Sequence, residues 1–143
     1  MIWFNDAKPT IDALNQLSAN TLLTHLDIRF TEIGDDFITA TMPVDDRTRQ
    51  PYGILHGGAT VVLAESLGST AAACCVDLTK KRVVGLDINA NHLRSVPNGH
   101  VTATTTPIHI GRSTHVWSIT QVDDAGRNVA ISRLTMAVID QQR

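Results

Sequence analysis

The sequence predicts an α+β protein in which a six-stranded antiparallel sheet is wrapped around one long central helix. Three features point to this fold: an unbroken stretch of small and apolar residues over 59–76, two strand-like segments before it and four after it. A helix that is apolar nearly all the way round is a buried helix. The short turns between the strand-like segments favour antiparallel pairing. Six such strands cover the helix only by curling around it, and its remaining side needs another cover.

The composition fits a single soluble domain spanning residues 1–143. Hydrophobic residues make up 43% of the chain and charged residues 18%, with a formal net charge of -2. These values are typical of globular proteins and give nucleic-acid binding no electrostatic basis. The N-terminus lacks a signal pattern, and the long apolar stretch contains Glu65 and several hydroxyl groups, which argues against a membrane span. We therefore expect a cytoplasmic protein with no nucleic-acid or membrane partner.

Two short helices and a hairpin precede the long helix. Apolar residues at helical spacing after Thr10 predict an N-terminal helix, and a further turn or two is expected around residues 20–25. The pattern changes to strand-like alternation at Leu26. A turn at residues 34–36 then leads into a second strand over residues 37–44.

The long helix is predicted over residues 58–75, because a pair of glycines marks its start and no break follows. Cys74 and Cys75 are neighbours on this helix and point in different directions, so we expect two reduced thiols rather than a disulfide. The six histidines show no metal-ligand spacing. Four strands are predicted after the helix, at residues 82–94, 99–110, 115–122 and 128–139.

Two chemical features stand out on the long helix. Glu65 lies in its apolar middle, where a carboxylate is rare unless it is paired or functional, so it is either an ion-paired core residue or a catalytic group. Gly57 lies at the helix start, where an unshielded backbone N–H suits a carbonyl oxygen or a developing oxyanion. Gln50 and His56 flank that point and can supply a donor or orient an acyl group, although His56 also fits a simple capping or packing role.

Glu65 and the start of its own helix are too far apart to act on one bond. Nine residues separate His56 from Glu65, which corresponds to about 13 Å along a helix axis. Two helices lying antiparallel across a two-fold axis would bring Glu65 of each chain to Gly57 of the other. Symmetric interfaces of this kind are common, so we expect a homo-oligomer with an active site shared between two subunits.

Several segments resemble the hotdog-fold acyl-CoA thioesterases. The similarity lies in QPYGILHGG at 50–58 and AES at 64–66, and it extends through MPVD at 42–45, VGLDINANHLR at 84–94 and SRLT at 132–135. Within this family the sequence resembles the PaaI-like branch, which includes the Arthrobacter-type 4-hydroxybenzoyl-CoA thioesterase and the 1,4-dihydroxy-2-naphthoyl-CoA thioesterase of menaquinone synthesis. The resemblance implies a homo-oligomeric hydrolase, a homotetramer built as a dimer of dimers or a dimer alone. It would cleave an aromatic acyl-CoA, with 1,4-dihydroxy-2-naphthoyl-CoA as first choice, to free acid and CoA.

The resemblance also implies catalytic roles for four residues. Glu65 would be the catalytic carboxylate, acting as nucleophile or as general base on a water. Gly57 would donate its N–H to the thioester oxygen, and Gln50 would help to hold the acyl carbonyl. His56 would orient the thioester or assist the departing thiolate.

Five further residues would bind the substrate by the same resemblance. Ser69 would position water or a ring hydroxyl, while His92 and Arg94 would lie along the pantetheine arm. Arg112 and Ser113, in the turn that follows residue 110, would meet the phosphates. No metal and no separate cofactor are implied, because coenzyme A is part of the substrate.

The sequence is also compatible with four other functions. Two are thioesterases with other substrates, namely a proofreading enzyme acting on misacylated carrier proteins and an aryl-acetyl-CoA thioesterase. The others are a non-catalytic acyl-CoA-binding module and a dehydratase. A dehydratase normally pairs a catalytic histidine with a carboxylate, and the position of Glu65 after His-Gly-Gly favours hydrolysis.

Overall fold

A six-stranded antiparallel sheet dominates the computed structural model, which describes residues 1–142. The strands are β1 (Arg29–Ile33), β2 (Ile38–Pro43), β3 (Lys81–His92), β4 (His100–Ile110), β5 (Thr114–Asp123) and β6 (Asn128–Asp140). They lie in the order β1-β2-β4-β5-β6-β3, and every neighbouring pair is antiparallel. The predicted α+β class and the six strands are therefore confirmed.

A short 3-10 helix covers Phe4–Asp6, and the α-helices are α1 (Ile11–Leu17), α2 (Leu22–His25) and the long α3 (Gly57–Cys74), which packs across the sheet. The fully buried side of α3 is formed by Ala59, Thr60, Leu63, Ala64, Leu67, Gly68, Ala71 and Ala72. Its other side, including Val62, Glu65 and Ser69, is only half-buried. The sheet thus covers one side of the helix, and the opposite side is available for another cover. No helix within residues 1–142 combines the length and apolarity that crossing a membrane requires.

The first strand begins later than the sequence pattern predicted. Alternation from Leu26 indicated a strand there, but Leu26 instead caps α2, and β1 begins at Arg29. The reason is the backbone of Asp27, whose φ of 53° lies in the left-handed region that an extended strand excludes. The expected side-chain alternation still holds for Ile28 and Phe30, which are both buried.

Two contacts set the position of α3 over the sheet. At its middle, a Cβ atom on Gly68 would lie 2.7 Å from Leu134 Cδ2 of β6, so only glycine permits this close approach. Near its start, the buried Gln121 of β5 donates from Nε2 to the Thr60 carbonyl at 2.8 Å. This hydrogen bond holds the first turn of α3 against β5.

The strand β3 forms one outer edge of the sheet. It hydrogen-bonds to β6 along one side, and within residues 1–142 no strand pairs with its other side. A β-bulge interrupts its register between Gly85 and Asp87. A twelve-residue edge strand of this kind exposes a row of backbone donors and acceptors that can pair with another chain.

Candidate active site

The start of α3 leaves the backbone N–H of Gly57 without a partner among residues 1–142. His56 caps the helix, and its Nδ1 accepts a hydrogen bond from the Gly58 N–H at 2.7 Å. Because Nδ1 accepts, the proton of the neutral ring lies on Nε2. The Gly57 N–H has no acceptor within the described residues. Of the first two amides of α3, one is satisfied by the cap and the other is open to a ligand.

Gln50, in the loop before the helix, has its side chain in a defined orientation. Its backbone N–H donates to the Ile54 carbonyl at 2.8 Å, which closes the loop before the helix. Its side-chain oxygen Oε1 accepts from the Tyr52 N–H. With Oε1 occupied in this way, the Nε2 amide group is the end of Gln50 that can donate to a ligand.

A cavity of about 380 Å³ opens at the start of α3 and contains four of the predicted site residues. These are Gln50, Gly57, His92 and Arg94, and the remaining walls are formed by Ile54, Leu55, Thr60, Leu93, Ser95 and Val129. A Cβ atom on Gly57 would lie 3.1 Å from the His92 ring, so glycine allows the end of β3 to close against the helix start. The cavity therefore combines an open backbone N–H, an amide donor, an imidazole and a guanidinium.

Glu65 does not line this cavity. It lies eight residues beyond Gly57, or about 12 Å along the helix axis. Its side chain is half-buried and makes no hydrogen bond or ion pair with any residue in 1–142, which contradicts the alternative of an ion-paired core residue. Instead its Oε1 lies against Gly85 of the edge strand β3.

Ser69 lies near Glu65, one turn further along α3. Its hydroxyl donates to the Met136 sulfur at 3.7 Å. That same sulfur lies 4.0 Å from the position that a Cβ atom on Gly85 would occupy. Glu65 and Ser69 therefore meet the sheet at one place, where β3 and β6 pair through Gly85 and Met136.

Arg112 and Ser113 lie in the turn between β4 and β5, at the same end of the sheet as Met136. The register shows this, because His115 at the start of β5 pairs with Met136, whereas His92 pairs with Ala130. Met136 lies six positions along β6 from Ala130, which corresponds to about 20 Å. The predicted site residues thus form two groups in one chain: a helix-start group (Gln50, His56, Gly57, His92, Arg94) and a carboxylate group (Glu65, Ser69, Arg112, Ser113).

Sequence reasoning missed two residues that hold these groups in place. Gln121 is fully buried and fixes the first turn of α3 through Thr60. The sequence pattern that could have identified Gln121 is its spacing: it follows Trp117 and Ile119 at every second position, on the buried face of β5. Gly85 was also missed, although an isolated glycine in a strand pattern is typical of a bulge or of a close approach.

The two cysteines do not provide a competing nucleophile. Both are free thiols, as the sequence predicted. Burial raises the pKa of Cys74 to about 11, and burial together with the neighbouring Cys74 raises the pKa of Cys75 to about 12. At neutral pH both are therefore protonated thiols rather than reactive thiolates. Among residues 1–142, no group of three or more His, Cys, Asp or Glu is arranged to hold a metal ion.

Comparison with known proteins shows which family the chain resembles. A family model described as the thioesterase superfamily matches residues 52–130. The chain is 50% identical over 139 residues to the 1,4-dihydroxy-2-naphthoyl-CoA hydrolase of Escherichia coli, which covers 97% of this chain and 100% of that protein. It is 46% identical over 142 residues to the proofreading thioesterase EntH of Cronobacter turicensis, covering 97% of this chain and 99% of that one.

A solved structure shows the same fold along the whole chain. The crystal structure of a mutant thioesterase from Pseudomonas aeruginosa matches with a TM-score of 0.96 and 49% sequence identity, covering 99% of this chain and 100% of the other. The antiparallel sheet with its long helix is therefore a hotdog fold, and this chain is a thioester hydrolase that belongs to the thioesterase superfamily.

Proposed function

We propose that the protein hydrolyses aromatic acyl-CoA thioesters to free acid and CoA, with 1,4-dihydroxy-2-naphthoyl-CoA as the first candidate substrate. The E. coli relative named for that substrate supports this choice, since the two chains align along almost their full lengths. The observation that carries the proposal is that Gly57, with its unpaired N–H, and Gln50 line the same cavity. This substrate would place the protein in menaquinone biosynthesis, in the cytoplasm.

In the proposed reaction, the thioester oxygen accepts hydrogen bonds from Gly57 N–H and Gln50 Nε2. Charge grows on that oxygen as the carbonyl carbon becomes tetrahedral, and the positive end of the α3 dipole stabilises it. Glu65 either takes the proton of an attacking water or attacks the carbon itself to form an anhydride, which water then opens. In both routes the tetrahedral intermediate collapses by breaking the C–S bond, before water opens the anhydride in the second route, and the His56 Nε2–H assists the departing thiolate.

The separation of the two groups of site residues supports a site shared between subunits. In one chain, Glu65 is about 12 Å from Gly57 along the helix axis, which is too far for both to act on one thioester. We propose that β3 strands of two chains pair antiparallel across a two-fold axis, since this edge is long and unpaired in the described chain. The helix-start group of one chain then meets the carboxylate group of the other. We further propose that two such dimers form a tetramer.

The exposed arginines suggest how the nucleotide end is held. Arg94 and Arg112 form no ion pair within residues 1–142, so each guanidinium can bind phosphate. We propose that Arg94 and His92 contact the pantetheine arm at the cavity, and that Arg112 and Ser113 of the other subunit meet the phosphates. Ser69 would face water or a ring hydroxyl of the acyl group.

A proofreading thioesterase acting on carrier-protein thioesters is the second candidate. The 46% identity to EntH of Cronobacter turicensis favours it. The two candidate substrates share the pantetheine arm and differ in what it is attached to, which is a nucleotide in CoA and a protein in a carrier-protein thioester. Whether the enzyme binds the nucleotide therefore distinguishes the two functions.

A substrate panel tests the proposal through thiol release. We expect kcat/KM to be at least about tenfold higher for aromatic acyl-CoAs than for straight-chain acyl-CoAs or for the same acyl groups on a carrier protein. We expect Arg112→Gln to raise KM for the CoA thioester about tenfold, the effect of one charged hydrogen bond, and to leave the matching N-acetylcysteamine thioester unchanged. Faster turnover of carrier-bound substrates would favour the proofreading function. CoA thioester binding without thiol release would contradict the proposed activity.

A further inference from the structure

The carboxylate of Glu65 occupies the space that a side chain on Gly85 would fill. A Cβ atom built on Gly85 would lie 2.6 Å from Glu65 Oε1 and 3.7 Å from its carboxyl carbon. Real Cβ atoms essentially never approach another atom within 3.0 Å, so this arrangement exists only because residue 85 is a glycine. The contact joins the middle of α3 to the edge strand β3, across 20 positions of sequence.

The bulge of β3 lies at the same place. Gly85 pairs with Met136, but the next pair is Asp87 with Thr135, so Leu86 is the extra residue. Bulges bend a strand locally and redirect the groups around them. On the inner side, the sulfur of Met136 limits the space around Gly85. The Glu65 carboxylate therefore lies against Gly85 of the strand, and it has no hydrogen bond or ion pair in residues 1–142 to fix it.

We infer that Gly85 is a positioning residue for hydrolysis: its missing side chain and its bulge let the Glu65 carboxylate reach the open edge of the sheet. This inference rests on the proposed catalytic role of Glu65. The edge is where a second subunit would present its Gly57 amide. Gly85 sets the position of the Glu65 carboxylate without touching the substrate. It does so through the space it leaves, because no polar partner within residues 1–142 holds the carboxylate.

The expected effect of Gly85→Ala follows from which atoms can move. The new methyl group meets the far end of a flexible side chain, so the carboxylate moves and the strand stays in place. To reach ordinary contact the carboxylate must retreat from 2.6 Å to at least 3.4 Å, a shift of about 0.8 Å. Misplacement of a reacting group by about 1 Å lowers rates by up to about 10²-fold. Gly85 has no positive φ, so alanine is compatible with its backbone.

A double-mutant cycle between residues 85 and 65 tests the inference by measuring kcat, KM and Tm on an aromatic acyl-CoA. We expect Gly85→Ala to lower kcat about 10- to 100-fold, with KM within threefold and Tm unchanged or higher. Glu65→Asp shortens the side chain by about 1.5 Å and clears the methyl group. In the Glu65→Asp background, Gly85→Ala should therefore change kcat by less than about threefold. Asn89→Ala, on the same edge strand, is the matched control for damage to that edge, and its loss of kcat should be at least about fivefold smaller than that of Gly85→Ala.

The outcomes separate this inference from the proposed role of Glu65. An equal loss from Gly85→Ala in both backgrounds would overturn the inference, because a damaged edge or dimer affects both equally. A comparable loss in Asn89→Ala would overturn it for the same reason. If Glu65→Ala abolishes turnover while Gly85→Ala does not slow it, only the inference fails. If Glu65→Ala leaves the rate unchanged, the proposed role of Glu65 fails first.

Discussion

Replacing Glu65 with glutamine is expected to lower kcat for an aromatic acyl-CoA by about 10²- to 10⁴-fold, the range that a general base contributes. Glutamine keeps the size of the side chain and its fit against Gly85, but it neither accepts a proton from water nor attacks a carbonyl. KM should change less than tenfold, because the cavity at the start of α3 is untouched. Initial rates of thiol release, followed with an Ellman-type reagent, measure both quantities.

The neighbouring Ser66 provides the control for the Glu65 substitution. It lies next to Glu65 on the half-buried side of α3, and its carbonyl, not its hydroxyl, accepts the hydrogen bond from Thr70. Ser66→Ala should therefore retain kcat within about threefold. Both variants should melt within a few degrees of wild type, since Glu65 forms no ion pair in the described chain. A Glu65→Gln enzyme that keeps more than a tenth of the wild-type kcat would rule out the carboxylate as the reacting group.

Replacing Gly57 with valine is expected to lower kcat/KM by about 10²- to 10³-fold, as the loss of one oxyanion-hole donor does. The backbone N–H remains, but the branched side chain fills the space in front of it and pushes against the His92 ring, which lies 3.1 Å from the new Cβ atom. The thioester oxygen then cannot reach the amide. Steady-state kinetics on the same acyl-CoA measures the loss.

A graded series makes the Gly57 result specific. Gly57→Ala places a single methyl group at the 3.1 Å contact, so a small shift of His92 accommodates it and the loss should be about tenfold. The valine variant should lose at least ten times more, while inhibition by free CoA changes little. Equal losses for alanine and valine, or full activity with valine, would show that the amide does not contact the reacting carbonyl.

The local patterns of the chain were enough to predict most of the fold. The long helix was expected over residues 58–75 and spans Gly57–Cys74, because paired glycines and a continuous apolar stretch mark it clearly. The late start of β1 was not predictable from alternation, since the left-handed backbone of Asp27 interrupts the strand while the side-chain pattern continues. Alternation reports which side chains face the core, and it says less about where hydrogen bonding begins.

The candidate site, like the fold, was predictable from the sequence only in part. Gln50, Gly57 and Glu65 lie within 16 residues, so their spacing alone indicated an amide at one end of a helix and an acid in its middle. The contact of Glu65 with Gly85 depends on the register of β3 and on its bulge, and the contact of Gln121 with Thr60 joins residues 61 positions apart. Such contacts arise only once the sheet is assembled, so no pattern along the chain specifies them.

Complementation between two inactive variants tests the shared site most directly. Glu65→Gln and Gly57→Val chains are given different affinity tags and exchanged, and the assemblies that contain mixed dimers are purified through both tags. In a mixed dimer one site lacks both groups and the other has both intact, so the two-fold arrangement predicts about half of the wild-type activity. Mixed dimers as inactive as their parents would contradict the account, because each site would then draw its carboxylate and its amide from the same chain.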